Sequence, residues 1–216
     1  MSICKGLLIL GCGGHARSVA DVALAAGVES LLFIDDNADP GEEFLGFAVQ
    51  RDFSQPLPDD WMCLPAAGDN YRRQAQVIKA RQAQWPLATL ISPTATIGRG
   101  AVLDAGSFVG HHAHVGPMAR VGTAGIINTA AVVEHDCVLG DYVHVSINAA
   151  AAGRSRLGDY VLLGAGATVI DSVVLADHIT IGAGGVVINS IRLRGTYVGV
   201  PARLLDSPAR DAWHGA

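Results

Sequence analysis

Glu134-His135-Asp136 sets an imidazole between two carboxylates. The surrounding segment, 91–191, has only 11 charged side chains and no lysine. A neighbouring carboxylate makes an imidazole more basic and can hold its tautomer through the far ring nitrogen, which suits a general base near neutral pH. A solvated histidine on a strand edge is the alternative. His144 follows within Tyr142-Val143-His144-Val145-Ser146. His111, His112 and His114 cluster too, but no carboxylate or cysteine nearby completes a ligand set and adjacent strand residues point opposite ways. Surface or interface histidines are therefore expected, and no metal. His178 and His214 carry no motif. A second candidate site is Gly11-Cys12-Gly13-Gly14-His15-Ala16, between an apolar run and a helix-like segment, with Asp35 downstream. Such glycines let backbone approach a phosphate, and a helix N-terminus offers N–H donors. Dinucleotide binding, a mononucleotide site with the base or ribose near Asp35, Asp36 and 68–70, and simple helix packing all remain open.

The elements that must carry these residues are legible as a repeat. Stepping in sixes from Ile91 to Val187 meets 17 positions, 16 of them Ile, Leu or Val and one Ala. The next residue is glycine at eight of the 17, and four places beyond the aliphatic the side chain is mostly small. Six residues make one short strand and a turn, and three such units close an 18-residue triangular coil. The aliphatic then stacks inward on its counterpart in the next coil. Glycine is expected to relieve a tight turn at positive φ. This is the hexapeptide-repeat parallel β-helix, left-handed in the families that carry the repeat, with between five and six coils. Its low charge suggests that some flat faces meet other subunits, as in a cyclic trimer.

The first ninety residues read differently. Apolar runs at 6–10, 31–34 and 61–67 alternate with helical segments ending near 26 and spanning about 71–84, and a last strand is expected at 87–91. That pattern is a small α/β unit with a parallel sheet. The division is 1–90 for the α/β domain, 91–205 for the β-helix and 206–216 for a tail. A net charge of −5 and only two lysines, Lys5 and Lys79, argue against nucleic-acid and membrane-surface binding. No apolar stretch reaches the roughly 20 residues of a spanning helix. Four scattered cysteines fit a reducing cytoplasm.

Taken together, Gly-Cys-Gly-Gly-His, Ile-Asp-Asp-Asn, Ala-Ala-Gly-Asp-Asn-x-x-Arg, Ile-Asn-Thr-x-x-x-Val-Glu-His-Asp-Cys and Val-Gly-Val-Pro-Ala-Arg occur in an order that resembles one family. It is that of the nucleotide-sugar N-acetyltransferases of the bacillosamine and perosamine type, relatives of sialic-acid O-acetyltransferase-like proteins. The resemblance covers about 5–205. It implies a Rossmann-like nucleotide-sugar domain on a left-handed β-helix and a homotrimer that uses acetyl-CoA as co-substrate, with no permanently bound cofactor. Gly13, Gly14, His15, Asp35, Asp36 and Gly68 would contact the nucleotide-sugar. His135 would be the general base, with Asp136 raising its basicity. His144 and Gly153 would lie near the thioester, and Ala165 and Ala183 along the pantetheine and nucleotide path. The acceptor would be a sugar amine, a 4-amino-4,6-dideoxy sugar being the expectation. The alternative acceptor is a hydroxyl on a sialic-acid-like sugar. A non-catalytic scaffold and an NAD-binding regulator are the remaining readings. Ala151-Ala152-Gly153 departs from the Cys-Ala-Gly of many relatives but keeps the glycine.

Overall fold

The computed structural model describes residues 4–205; His214 and the 206–216 tail lie outside the described residues. The chain begins with β1 (Gly6–Leu10), buried along its whole length. It pairs in parallel with β2 (Ser30–Ile34) on one side and β5 (Trp61–Pro65) on the other. Between β1 and β2 runs α1 (Gly14–Ala25), whose Ala16, Val19, Ala20, Val22 and Ala23 recur at helical spacing and are buried. A hairpin of β3 (Glu43–Phe44) and β4 (Phe47–Gln50) completes a sheet of order β3-β4-β2-β1-β5. Then comes α2 (Asn70–Gln82), capped by Asp69, whose carboxylate accepts from the Arg72 N–H at 2.8 Å. Lys79 and Arg81 occupy its last turn, where the helix dipole favours cations.

The last strand of this unit is not where the sequence pattern places it. No strand of the sheet forms over 87–91: Leu87 makes a single bridge to Cys63, and Leu90–Ile91 instead opens the β-helix. The fourth parallel-facing strand is β4, which pairs with β2. Its hairpin turns on Leu45 and Gly46, with φ of 55° and 79°. Two consecutive positive φ values match the twist that adjacent strands prefer.

From Leu90–Ile91 to Val186–Val187 the repeat folds as a parallel β-helix whose rungs pair with those 18 residues away. A first face holds the rungs at 90, 108, 126, 144, 162 and 179–181. The second holds 96 through 186, and the third 102 through 174. Inward Val109, Ile127, Val145, Leu163 and Ile181 form a continuous core with Ala113, Ala131, Cys137 and Ala149, all at most 1% exposed. The repeat glycines have a different job from the one expected. None of those following the aliphatics has positive φ; that conformation belongs to the turn position at Ala124, Asp136, Tyr142, Arg154 and their counterparts. The glycines permit close stacking of coils: a Cβ on Gly116 would lie 2.6 Å from the His135 nitrogen, and one on Gly164 would lie 2.6 Å from that of Ala183. Gly195–Val198 adds a last parallel strand to the first face and Arg203–Leu204 folds back antiparallel.

The α/β unit stands on the early coils of the first face. Phe108 and Ile126, each 1% exposed, join the core formed by α1 and the sheet. His111 bridges the parts, its Nδ1 against Ser92 Oγ (2.7 Å) and its Nε2 against Asp21 of α1 (3.1 Å). His114 pairs separately with Thr96. No helix among the described residues is long and apolar enough to cross a membrane.

Candidate active site

His135 lies in the turn between the second and third faces, in a column with Pro117, Gly153 and Asp171 of successive coils. Asp136 Oδ2 accepts from His135 Nδ1 at 2.8 Å. A carboxylate can only accept, so the proton sits on Nδ1 and Nε2 carries the free lone pair. Glu134 turns back and accepts from the His135 backbone N–H at 3.2 Å. The ring lies over Gly153, where a Cβ would come 2.5 Å from Nε2. On the far side of Gly153, Asp171 is held by Arg154 (2.7 Å) and Ser172 (2.8 Å). Those hydrogen bonds, the Ser172 hydroxyl first, pull its carboxyl below the usual range. The His135 side chain is 45% exposed, so its free nitrogen is accessible. Cys137, two residues on, faces the core with its thiol against the Ala151 and Ala152 carbonyls, and burial pushes it up in pKa.

A second cluster forms where the α/β unit meets the first face. His144 Nδ1 lies 3.1 Å from the Gly68 carbonyl, which can only accept, so this nitrogen carries the proton. Asn128 is oriented by its Oδ1, which accepts from the Thr129 N–H at 2.8 Å, and its Nδ2 donates to His144 Nε2 at 3.3 Å. Burial, reinforced by the positive charge of Arg73, lowers the His144 pKa to about 3. His15 packs edge-on to Phe108 and 6.0 Å from His144 between ring centres. Burial holds its pKa well below the usual histidine value, and its Nε2 is buried without a hydrogen-bond partner.

Beside this cluster, the loop after β1 opens a cavity of about 460 Å³ lined by Gly13, Gly14, Arg17, Asp35 and Glu42. Gly11 turns the chain at φ 106°, and the Cys12 N–H donates to Asp35 Oδ2 at 2.8 Å, so Asp35 ties the loop to the end of β2. Asp36 is exposed next to it. Gly13 caps α1 without a side chain, leaving the helix N-terminus open to the cavity. A second cavity of about 390 Å³ lies beyond Gly68, walled by Tyr71, Tyr160, His178 and Arg194.

The fold thus brings together Gly13, Gly14 and Asp35 around one cavity, and His15, Gly68 and His144 beside it. Ala165 and Ala183 are exposed in one column, at the corner between the first and second faces. Within one chain His135 and Gly153 stand apart from His144, across the second face. Sequence reasoning gave no role to Arg73, Asn128, Asp171 or Arg17, although Arg73 and Asn128 stand inside quoted motifs.

Residues 6–80 match the PglD N-terminal domain family. Over nearly the whole chain the protein is similar to the acetyltransferase domain of PglB from Neisseria gonorrhoeae, solved with acetyl coenzyme A. The two are 31% identical with a TM-score of 0.87, covering 94% of this chain and all of that one. It is also 32% identical to a histidine-to-alanine variant of GDP-perosamine N-acetyltransferase from Caulobacter crescentus, solved with CoA and GDP-perosamine. There the TM-score is 0.84, with 94% and 97% covered. The chain belongs to the nucleotide-sugar N-acetyltransferase family. WeeI from Acinetobacter baumannii, at 23% identity, 92% and 99% coverage and a TM-score of 0.80, shares the fold of this family.

Proposed function

We propose that the protein transfers the acetyl group of acetyl-CoA to the amine of a nucleotide-linked amino-sugar, with His135 as general base. The carrying observation is the Asp136–His135–Gly153 arrangement: a tautomer-fixed imidazole with its free nitrogen over a side-chain-free gap. The nucleotide occupies the cavity at the α1 N-terminus, its diphosphate against the helix N–H groups and Arg17. The sugar extends toward His15, whose buried Nε2 lacks a partner, and toward Gly68. Acetyl-CoA runs past Ala183 and Ala165 to place its thioester near His144 and Gly153. The acceptor is a 4-amino-4,6-dideoxy sugar.

The amine attacks the thioester carbonyl while His135 Nε2 takes its proton. The oxyanion is met by a backbone N–H of the Gly153 turn. Collapse expels the CoA thiolate, which recovers the proton from the imidazolium, leaving an amide and free CoA. No acyl-enzyme is required. Since His135 and the His15–Gly68–His144 cluster stand apart across the second face, a neighbouring copy supplies the base in a homotrimer. The outward positions of the second face support this: Thr96, His114, Val132, Ala150, Thr168 and Val186 include no Asp, Glu, Lys or Arg. By contrast, the third face carries Arg120 and Arg156.

The test is thiol release from acetyl-CoA across a panel of UDP- and GDP-linked amino-sugars, with the product weighed by mass spectrometry. One amino-sugar should gain a single acetyl group on nitrogen. Turnover only with hydroxyl acceptors, or none across the panel, would overturn the reading.

A further inference from the structure

Arg73 is the largest fully buried side chain of the described residues, and it has no exposed surface at all. Its guanidinium hydrogen-bonds to no carboxylate; every acceptor is a carbonyl or amide oxygen. Nε donates to Ala124 (2.8 Å), one terminal nitrogen to Ala67 and Gly68 (3.0 and 3.2 Å), and the other to the Asn70 side chain and Tyr142 (2.8 and 2.7 Å). These acceptors come from the 67–68 loop, the first turn of α2 and two successive turns of the β-helix. Burying a cation without a counter-ion is expensive, and a neutral side chain could tie two elements together at less cost. A charge kept there calls for a reason.

The Gly68 carbonyl supplies it. This oxygen accepts from both Arg73 and His144 Nδ1, so the bond that orients the loop also fixes the histidine tautomer. We infer that Arg73 is a positioning residue for acetyl transfer: through the shared Gly68 carbonyl it sets the 67–68 loop against His144, with its charge beside the His15–His144 pair. This rests on the proposed function, in which Gly68 and His15 face the nucleotide-sugar and His144 faces the thioester.

The charges around the cluster are few. His15 comes from α1, Asp69 and Arg73 from the start of α2, and Tyr142 from the β-helix corner. Neither histidine hydrogen-bonds to a carboxylate. Burial lowers the pKa of both, and Arg73 pushes in the same direction. Arg73 itself falls only to about 9, since Asp69 and Tyr142 oppose the effect of burial, so it stays charged at neutral pH.

Two variants test the inference, each measured for thermal midpoint, KM and kcat. Arg73→Lys keeps the charge but loses the fork of donors. Its KM for the nucleotide-sugar should rise about tenfold while kcat changes less, because orientation is lost. Asn70→Asp sets a carboxylate against the guanidinium in nearly the same shape, giving up only the Asn70 bond to the Tyr160 carbonyl. Cancelling the charge shifts the His15 and His144 pKa values upward. Ring NMR shifts should show His144 titrating at higher pH in this variant, a readout independent of turnover. Folded variants with wild-type KM and His144 titration would reduce Arg73 to a structural tie. If Arg73→Lys does not fold, Asn70→Asp decides alone. If the wild-type protein acetylates no amino-sugar, the proposed function fails, and the NMR titration still judges the electrostatic half.

Discussion

Replacing Gly153 with alanine adds one methyl group at the point over which the His135 ring lies. Its Cβ would sit 2.5 Å from Nε2, 2.7 Å from Cε1 and 3.1 Å from Asp171 Oδ1. Non-bonded carbon and nitrogen settle near 3.5 Å, so the imidazole must retreat by about 1 Å. Gly153 is not among the residues at positive φ, so alanine brings no backbone strain. By restricting the unfolded chain it even favours folding, by roughly 0.4–1 kcal/mol. The fold should therefore hold while the chemistry suffers. Displacement of about 1 Å in a catalytic group costs on the order of 10²-fold in rate. The assay is thiol release from acetyl-CoA with the accepted amino-sugar, run beside a thermal melt. Gly153→Ala should lose about 10²-fold in kcat/KM with an unchanged or slightly raised thermal midpoint. A variant with nearly wild-type kcat/KM would refute the idea that the ring works over this gap.

Stability should fall with acid before most carboxylates titrate. His144, and with it His15, has a folded pKa below the ordinary value, so the unfolded chain binds more protons between about pH 6.5 and pH 3. Stability from the neutral His144 is fully present above pH 6.5 and about 2 kcal/mol of it is gone by pH 5, with His15 acting in the same direction. Denaturant melts at pH 7 and pH 5 should show this drop, and His144→Gln should reduce it; equal stabilities would contradict the buried neutral state. Cys137→Ala should retain wild-type kcat, because the thiol faces the core and the proposed direct attack by the amine does not use it. Loss of turnover in a folded Cys137→Ala protein would instead indicate an acyl-enzyme.

The β-helix could be read from sequence because its constraint is local and repeated. Each inward aliphatic from Ile91 to Val187 must recur at six residues or lose its place in a core one side chain wide. The pairing of His135 with Asp136, joined in the structure by a hydrogen bond, was legible because the two are adjacent in a segment with little other charge. What stayed hidden depends on distant partners. Arg73 reads as one more cation on a polar helix; only the fold brings carbonyls 51 and 69 residues away to its guanidinium. His144 gains its tautomer from Gly68, 76 residues earlier. The β3–β4 hairpin left one usable trace, Gly46 between aromatic Phe44 and Phe47, but strands of two and four residues are too short to show alternation. The repeat glycines were found, yet their purpose was not, because close approach between coils is a property of stacking rather than of any single turn.

The proposed chemistry turns on His135 taking the proton from the attacking amine. Single-turnover acetyl transfer should therefore be compared between wild type and His135→Ala, both saturated with acetyl-CoA and the accepted amino-sugar. Oligomeric state should be checked by light scattering. The variant should keep the same assembly and transfer acetyl at a rate lower by about 10²–10⁴-fold. A correctly assembled His135→Ala protein that transfers acetyl at close to the wild-type rate would contradict this role.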